Sequence, residues 1–251
     1  MLHAMSTEDA LANTRHVEVR GDRFTLKGYV GNAPVRGTYV EGNEKNDNGQ
    51  PQAFLVFQPP RTVTPPHFHE VNQFQVFMGG DGLFGKKPAH AVSVHYAGGH
   101  TPYGPIVAGE EGLEYFTLRQ RWDPGAKYMP ERRSMLRKVK REFRMVHEVA
   151  QDAAEALRTR RGAATETLLE PEADGLACFV THVGAAMAGT LPDPSAGGGQ
   201  YHIVIAGTCR HDGKDMRRKS VFYVSADEAP LRVTGGPDGI EILTLQFPQA
   251  G

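Results

Sequence analysis

Short apolar runs rich in β-branched and aromatic side chains recur along the chain, separated by Gly, Pro and Asp. Such runs predict β-strands, and regular spacing of this kind is typical of a β-sandwich or barrel. They fall in two sets: 53–57, 74–78, 92–97 and 113–119, then 177–183, 201–206, 220–225 and 240–247. The pattern therefore predicts an all-β protein with two groups of strands.

The two groups of strands repeat one another at a constant offset of 127 residues. The run that begins at Gln73 reappears at Gln200, and two later blocks keep the same register. Between 73–118 and 200–245, 11 of 46 positions are identical without a gap, and turn glycines are among them. A register shared by three blocks indicates two copies of one fold.

The segments outside the repeat predict an arm and a linker. Segment 131–161 lacks Gly and Pro, which predicts one or two helices because its apolar residues recur at helical intervals: Leu136, Val139, Phe143, Val146 and Ala150. The strand-like runs 24–30 and 37–40 are expected to pair with a neighbouring barrel and so cover an open edge. The expected layout is an N-terminal arm (1–44), a first barrel (45–125), a helical linker (126–165) and a second barrel (166–251).

Two histidines carry the clearest chemical signal. His67 and His69 are two residues apart, so on a strand both imidazoles point to one face and can bind the same ion. Segment 65–73, followed by Gly80, resembles the first motif of the cupin superfamily of jelly-roll barrels. The resemblance implies a bicupin, two tandem cupin barrels, of which the first holds a divalent metal ion. Fe(II) is the expected ion, and Mn, Ni or Zn are the alternatives.

The same resemblance suggests the remaining ligands. Gln73 stands where the cupin motif has Glu, so its amide oxygen is the candidate third ligand. The second motif is degraded, and 96–105 aligns in two ways, with either His100 or Tyr103 at the ligand position. Imidazole binds metal ions at pH 7 more readily than a phenol of pKa ~10, which favours His100. Tyr103 is then the candidate catalytic residue, orienting substrate or handling a proton.

The second half of the repeat lacks these ligands. The positions that match His67 and His69 fall in 192–199, which contains no histidine, and His100 and Tyr103 map to Asp227 and Pro230. We therefore expect the second barrel to have lost its metal site. His182 and His202, which lie on its strands, are interpreted as core or edge contacts.

Composition narrows the choice of partners. A formal net charge of -1 gives no global attraction to nucleic acid or to an anionic membrane, and no long apolar run is present. The basic segment 131–144 is interpreted as a solvated helix face. Cys178 and Cys209 lie in apolar stretches without CxxC spacing, which fits a reduced cytoplasm. A cytoplasmic homodimer is the expected form.

Two functions follow from the motif. The first is a metal-dependent enzyme, an oxygenase acting on a small organic acid or aromatic compound, with Arg61 or Arg119 pairing a carboxylate. Its apolar cavity wall is expected from aromatic side chains: Phe54, Phe57, Phe77, Phe84 and Tyr115. The alternative is a bicupin that binds a small molecule, or serves a structural role, without turnover.

Overall fold

The computed structural model describes residues 1–249 and divides the chain into two compact units. The first barrel comprises Ala12–Val149, and the second comprises Met1–Leu11 with the residues from Ala150 onward. Strands dominate both units, and the α-helices of the described residues are α1 (Thr7–Ala12) and α2 (Ala154–Thr159). The predicted all-β fold with two barrels is confirmed. No helix within 1–249 has the length and apolar character to cross a bilayer.

The strands are numbered in chain order. They are β1 (Leu2–Met5), β2 (Thr14–Val19), β3 (Asp22–Val30), β4 (Gln52–Gln58), β5 (Val63–Thr64), β6 (His67–Phe68), β7 (Gln73–Phe84), β8 (Lys87–Pro88), β9 (Ser93–Ala97), β10 (Ile106–Arg119), β11 (Lys127–Tyr128), β12 (Phe143–Val146), β13 (Ala163–Leu169), β14 (Ala177–Val183), β15 (Ala188–Thr190), β16 (Gln200–His211), β17 (Lys214–Arg217), β18 (Val221–Val224) and β19 (Arg232–Gln246). Single 3-10 turns lie at Asn43–Asn46, Arg133–Met135 and Pro194–Ala196.

The first barrel is built on a sheet in the order β12-β9-β7-β10-β4-β3-β2, with β5 and β8 pairing at its margins and β6 pairing with β11. The start of β7 is buried on both faces, so it reads as a continuous apolar run broken only by Gln73 and Gln75. Both glutamines are almost fully buried. Buried amides require hydrogen-bond partners. Those of Gln73 lie in the site described below, and Oε1 of Gln75 lies 3.1 Å from Nδ1 of His95.

The second barrel repeats this arrangement in the order β1-β18-β16-β19-β14-β13, with β15 and β17 at its margins. Its long strands β16 and β19 match β7 and β10 at the offset of 127 residues. The cross-strand partners also match, since Gln73 lies opposite Arg119 and Gln200 lies opposite Gln246. The predicted repeat is therefore present in strand register as well as in sequence.

A glycine at the same position interrupts the long central strand of each barrel. Gly80 and Gly207 have φ of 80° and 66°, a region that disfavours residues with a Cβ. A Cβ on Gly80 would lie 2.1 Å from the carbonyl oxygen of Gly112, and one on Gly207 equally close to that of Gly239. The strand pairing shifts register at these places. Only glycine allows the two backbones to approach so closely.

The N-terminal arm divides between the two units. Strand β1 pairs with β18 of the second barrel, whereas β2 and β3 pair with each other and β3 pairs with β4 of the first. The run 24–30 is thus a strand with partners in its own barrel, and 37–40 is not a strand. The interpretation of 1–44 as one arm was wrong, because the two parts contribute edge strands to different sheets.

The linker is not the helical segment that the sequence predicted. Residues 136–142 form no regular structure, Phe143–Val146 forms β12 beside β9, and α2 is the only α-helix within 131–161. A helix here would place like charges four residues apart, for example Arg133 near Arg137, which is unfavourable. Pairing with β9 instead covers an open sheet edge. Phe143 and Val146 therefore belong to an edge strand, and Leu136 and Val139 lie in the irregular segment before it.

Candidate functional site

His67 is held in place by two short backbone pairings. It pairs with Tyr128 across β6 and β11, and it forms an isolated bridge with Tyr103 through hydrogen bonds of 3.1 and 3.0 Å. The ring centroids of His67 lie 4.5 Å from Tyr103, 5.3 Å from His69 and 5.4 Å from Tyr128. The HxH motif and Tyr103 therefore come together, as one of the two alignments of the second motif predicts.

These side chains line a cavity of about 80 Å³ in the first barrel. Strands β2, β3 and β4 supply its apolar lining, which includes Val17, Val19, Phe24, Leu26, Phe54 and Val56. The polar lining includes His67, His69, Gln75, Tyr103, Thr117 and Arg119. All six of these polar residues are buried. The cavity thus combines an apolar wall with a concentrated polar face.

Both motif histidines are neutral imidazoles whose Nδ1 is engaged in a hydrogen bond. Nδ1 of His67 lies 2.8 Å from the carbonyl oxygen of Pro65, and Nδ1 of His69 lies 2.7 Å from Oδ1 of Asp123. Both acceptors require a proton on Nδ1, so Nε2 carries the lone pair. Burial lowers the pKa of His67 to about 3 and also lowers that of His69. This tautomer is the one that a metal-ligating histidine usually adopts.

Asp123 is a functional residue that the sequence analysis missed. It is fully buried, and besides His69 it accepts hydrogen bonds from the backbone N–H of Glu70 (3.1 Å) and of Gly125 (2.8 Å). Burial alone would raise the pKa of this carboxyl, but the nearby His69 and Arg119 outweigh it and the pKa is lowered. Asp123 is therefore an anion. The Asp-Pro-Gly turn in 123–125 was a signal for a backbone-bonding aspartate.

Arg119, one of the two arginines that the sequence analysis named as carboxylate partners, also belongs to this cluster. Its guanidinium is buried and donates from Nε to Oε1 of Gln73 (3.2 Å) and from Nη1 to Oε1 of Gln52 (2.6 Å). Its Nη2 lies 3.1 and 3.2 Å from the two ring nitrogens of His69. Nη1 is 3.9 Å from Asp123, which supplies the compensating negative charge. A fixed cation therefore sits beside the motif histidine.

Gln73 and Tyr103 complete a chain of hydrogen bonds that begins at Arg119. The amide oxygen of Gln73 accepts from Arg119, and its Nε2 donates to the hydroxyl oxygen of Tyr103. Burial raises the pKa of Tyr103, so the residue is a neutral phenol. The amide oxygen of Gln73, the candidate third metal ligand, is thus already engaged as a hydrogen-bond acceptor. The hydroxyl of Tyr103 retains a proton that it can donate.

His100 does not join this cluster. Its ring packs against Phe68, at a centroid distance of 5.7 Å, and it does not line the cavity. The backbone N–H of His100 donates to the carbonyl oxygen of His69 (2.7 Å). The guanidinium of Arg141 donates to the carbonyl oxygen of His100. Since Phe68 alternates with the two motif histidines, a partner of Phe68 lies on the other face. Tyr103 therefore lies in the cavity beside His67, and His100 lies outside it, against Phe68.

The donor set does not fit a divalent ion in this arrangement. Gln73 has its oxygen engaged, Tyr103 is a protonated phenol, and no carboxylate lines the cavity among the described residues. The two remaining imidazoles have the cationic Arg119 against His69, and two positive centres at that distance repel. Two neutral donors beside a fixed positive charge are fewer than a divalent site requires.

The other predicted wall residues are divided by the structure. Phe54 and Tyr115 line the cavity, Phe77 and Phe84 pack in the same core cluster, and Phe57 is exposed. Of the two candidate carboxylate partners, Arg119 lines the cavity, whereas Arg61 pairs with Glu110 at the surface.

The second barrel contains an acidic and histidine cluster of its own. Among the described residues, Asp152, His182 and Glu241 form the group whose ligand atoms lie close enough to hold an ion. These groups are already paired: Nδ1 of His182 lies 2.9 Å from Glu241, and Arg160 lies 2.6 Å from Asp152. The hydrogen bond to Glu241 raises the pKa of His182. The cluster is an ion-pair network that fixes the segment before α2.

No family model matches this sequence, and no curated protein matches it. Solved structures match over nearly its full length. A putative dioxygenase from Nostoc punctiforme has a TM-score of 0.66 at 12% identity, covering 98% of this chain and 82% of its own. Salicylate 1,2-dioxygenase from Pseudaminobacter salicylatoxidans has a TM-score of 0.55 at 11% identity (97% and 83% covered). Bacterial pirin YhhW from Escherichia coli, in complex with nickel(II), has a TM-score of 0.54 at 9% identity, with both chains fully covered.

The chain has the bicupin fold. This agrees with the two barrels and with the 127-residue repeat. At identities of 9–12% the likeness concerns the fold, and a bicupin fold supports many different chemistries. The function of this bicupin must therefore be argued from its own cavity.

Proposed function

We propose that the first barrel binds a short-chain organic acid in the cavity beside His67, Tyr103 and Arg119. The observation that carries the proposal is the buried guanidinium of Arg119 in the cavity lining. Its counter-charge, Asp123, is not among the lining residues, so the charge that faces a ligand is positive. A carboxylate is the natural partner of a guanidinium in a water-poor site.

The size of the cavity restricts the acid. A volume of about 80 Å³ is small beside the ~150 Å³ cavity that accommodates benzene. An aromatic acid is therefore disfavoured, and an aliphatic acid of two to four carbons fits better. The apolar wall from β2, β3 and β4 would contact its carbon chain.

The other polar groups offer complementary hydrogen bonds. The phenol of Tyr103 is a donor, because its raised pKa keeps it protonated, and Nε2 of His67 is an acceptor. The two rings are 4.5 Å apart, so one small ligand can reach both. A hydroxyl or keto group next to the carboxylate would use these contacts, which favours 2-hydroxy and 2-oxo acids.

A metal-dependent oxygenase is the second candidate function. It is favoured by the tautomer of His67 and His69, which leaves both Nε2 atoms as donors, and by dioxygenases among the solved structures of similar fold. That activity would require Arg119 to leave its contacts with His69 and Gln73. The geometry therefore supports acid binding more directly than metal chemistry.

Thermal unfolding with candidate acids tests the proposal. Glycolate, lactate or pyruvate at ~100 times its Kd should raise the Tm by about 5 °C, and benzoate should not. Arg119→Gln should abolish the shift. Arg61→Gln is the matched control, since it removes an exposed arginine of the same barrel, and it should leave the shift unchanged.

Metal analysis of untagged protein, prepared without chelator, distinguishes the two candidates. Less than a tenth of an equivalent of any transition metal, together with an acid-dependent Tm, supports the proposed function. Stoichiometric metal with no response to any short acid would overturn it in favour of the oxygenase.

A further inference from the structure

The positions of the donor atoms suggest why the cupin motif in this chain departs from its usual form. Two of the three side chains that the motif would turn toward an ion, Gln73 and His69, contact one side chain, Arg119, instead. Its Nε donates to Oε1 of Gln73 at 3.2 Å, and its Nη2 lies 3.1 and 3.2 Å from the two ring nitrogens of His69. The guanidinium thus engages the oxygen that Gln73 would offer to a metal ion, and it sets a positive charge against the ring of His69. One cation can occupy that position, and two cannot.

The second barrel has an uncharged residue at the position that matches Arg119. Gln246 matches Arg119, and it accepts a hydrogen bond of 2.7 Å from Gln200, which matches Gln73. The cross-strand pair at the end of β7 and β10 is therefore compatible with glutamine at both positions. Replacing Arg119 by glutamine copies an arrangement that already exists in the other barrel.

The histidines retain the features of ligands. His67 and His69 are buried, neutral and fixed at Nδ1 by the Pro65 carbonyl and by Asp123. Such acceptors orient an imidazole so that Nε2 can bind a metal ion. Nothing in their own geometry opposes an ion, and the obstacle is the neighbouring guanidinium.

We infer that Arg119 is the resident cation of the motif in place of a metal ion, and that its removal opens a latent divalent-metal site at His67, His69 and Gln73. In the native protein the guanidinium contacts His69 and Gln73 and excludes a divalent ion by charge. The inference concerns metal binding alone, and it does not depend on which acid the cavity takes.

Isothermal titration with Ni²⁺ and Zn²⁺ tests the inference on the full chain. Imidazole-rich sites bind these ions well. Native protein and Arg119→Lys, which keeps the charge, should bind less than about a tenth of an equivalent at the motif, and Arg119→Gln should bind about one. A second change, Gln73→Glu on the Arg119→Gln background, should tighten binding at least about tenfold by adding a carboxylate.

Two further variants separate the motif from other sites and from misfolding. His67→Ala on the Arg119→Gln background should lose the new equivalent of metal. If Arg119→Gln fails to fold because Asp123 is left unpaired, Arg119→Gln with Asp123→Asn removes both charges and should bind the ion instead. Absorption bands of tetrahedral or five-coordinate Co²⁺, read on the same proteins, report the site without any activity assay.

Two outcomes would overturn the inference. One is a stoichiometric ion in the native protein that is lost on His67→Ala, which would show that Arg119 does not exclude it. The other is a folded Arg119→Gln protein, with or without Asp123→Asn, that binds no divalent ion. Neither outcome bears on the Tm shift of the native protein with short acids, and it is the presence or absence of that shift that decides the proposed function.

Discussion

The two barrels of this bicupin share their strand frame but differ in what the frame encloses. At matching positions, the first barrel pairs Gln73 with the charged Arg119, whereas the second pairs Gln200 with the neutral Gln246. Two residues further along the same strands, Gln75 of the first barrel corresponds to His202, whose Nδ1 lies 2.9 Å from Oγ1 of Thr244. The comparison shows that strand register and interior chemistry vary independently.

The positions that keep the register differ from those that carry the chemistry. Glycines at 80 and 207 permit a close backbone approach, and they are the same in both barrels. Inward side chains at the ends of the long strands set the charge of the interior, and they are different. A substitution at the first kind of position should damage either barrel alike, and one at the second kind should affect only its own.

The largest effect is expected from Gly80→Ala and Gly207→Ala. Each would place a Cβ 2.1 Å from a carbonyl oxygen at a positive φ, so each should lower the free energy of unfolding by about 3 kcal/mol or more. Gly213→Ala is the control, because it shares the positive φ (77°) but faces open space, and it should cost about 1 kcal/mol. Urea unfolding measures all three. Equal losses at Gly80 and Gly213 would refute a steric role.

Acid should unfold the first barrel before the second. Burial holds the folded pKa of His67 and of His95 at about 3, below the unfolded value of 6.5. As the pH falls from 6.5 toward 3, the unfolded state binds a proton at each of these histidines and the folded state does not. Each histidine therefore lowers the free energy of unfolding by at most about 1.4 kcal/mol per pH unit. In the second barrel His202 behaves in the same way, but the raised pKa of His182 opposes it.

Trp122 is the only tryptophan, and it lies in the first barrel, so its fluorescence reports that barrel alone. Its acid transition should begin at a higher pH than the loss of β-structure followed by circular dichroism over the whole chain. A fluorescence change that follows the circular dichroism signal, or comes after it, would contradict the predicted order.

Glu241→Gln should produce a pH-dependent loss in the second barrel. The hydrogen bond to Glu241 raises the folded pKa of His182 above 6.5, so its contribution is complete below that pH and disappears as the pH rises through the raised value. We expect Glu241→Gln to lower the free energy of unfolding by about 2 kcal/mol at pH 5.5, and by less at alkaline pH. His182→Asn should remove the same pH dependence. A loss that is constant from pH 5.5 to 9 would show that His182 is not charged in this pair.

The smallest expected effect separates Tyr103 from His100. Tyr103→Phe removes a hydroxyl that faces the cavity and should weaken binding of a short acid about fivefold, or ~1 kcal/mol. His100→Ala lies on the other face, against Phe68, and should leave the affinity unchanged. Calorimetric titration of both variants distinguishes them. The opposite ranking would restore His100 as a site residue.

The strands and turns of the two barrels could be predicted from the sequence because they depend on residues that are close together along the chain. Turn glycines and alternating runs lie on the strands that they specify, and the offset of 127 residues matches Gln73 to Gln200 by position along the chain alone. The HxH spacing likewise fixes two side chains on one face. The fold and the first two residues of the site were predictable for this reason.

The rest of the site depends on contacts between residues far apart in sequence. Arg119 meets Gln73 across 46 residues and His69 across 50, and Asp123 meets His69 across 54. No motif marks such partners, so Arg119 was only one of two candidate arginines and Asp123 was not considered. The two alignments of 96–105 left His100 and Tyr103 open for the same reason, since which of them bridges to His67 is a contact between distant residues.

The position of β1 has a consequence for how the protein is made. Leu2 pairs with Val224, so β1 leaves the ribosome before the whole first barrel and long before its partner strand β18. The sheet of the second barrel therefore closes only after β18 has been made, and contacts this distant in sequence form slowly. Until then β1 is an unpaired strand that precedes a first barrel, Ala12–Val149, which can already fold. Deleting residues 1–5, or fusing a bulky tag next to them, should thus damage the second barrel.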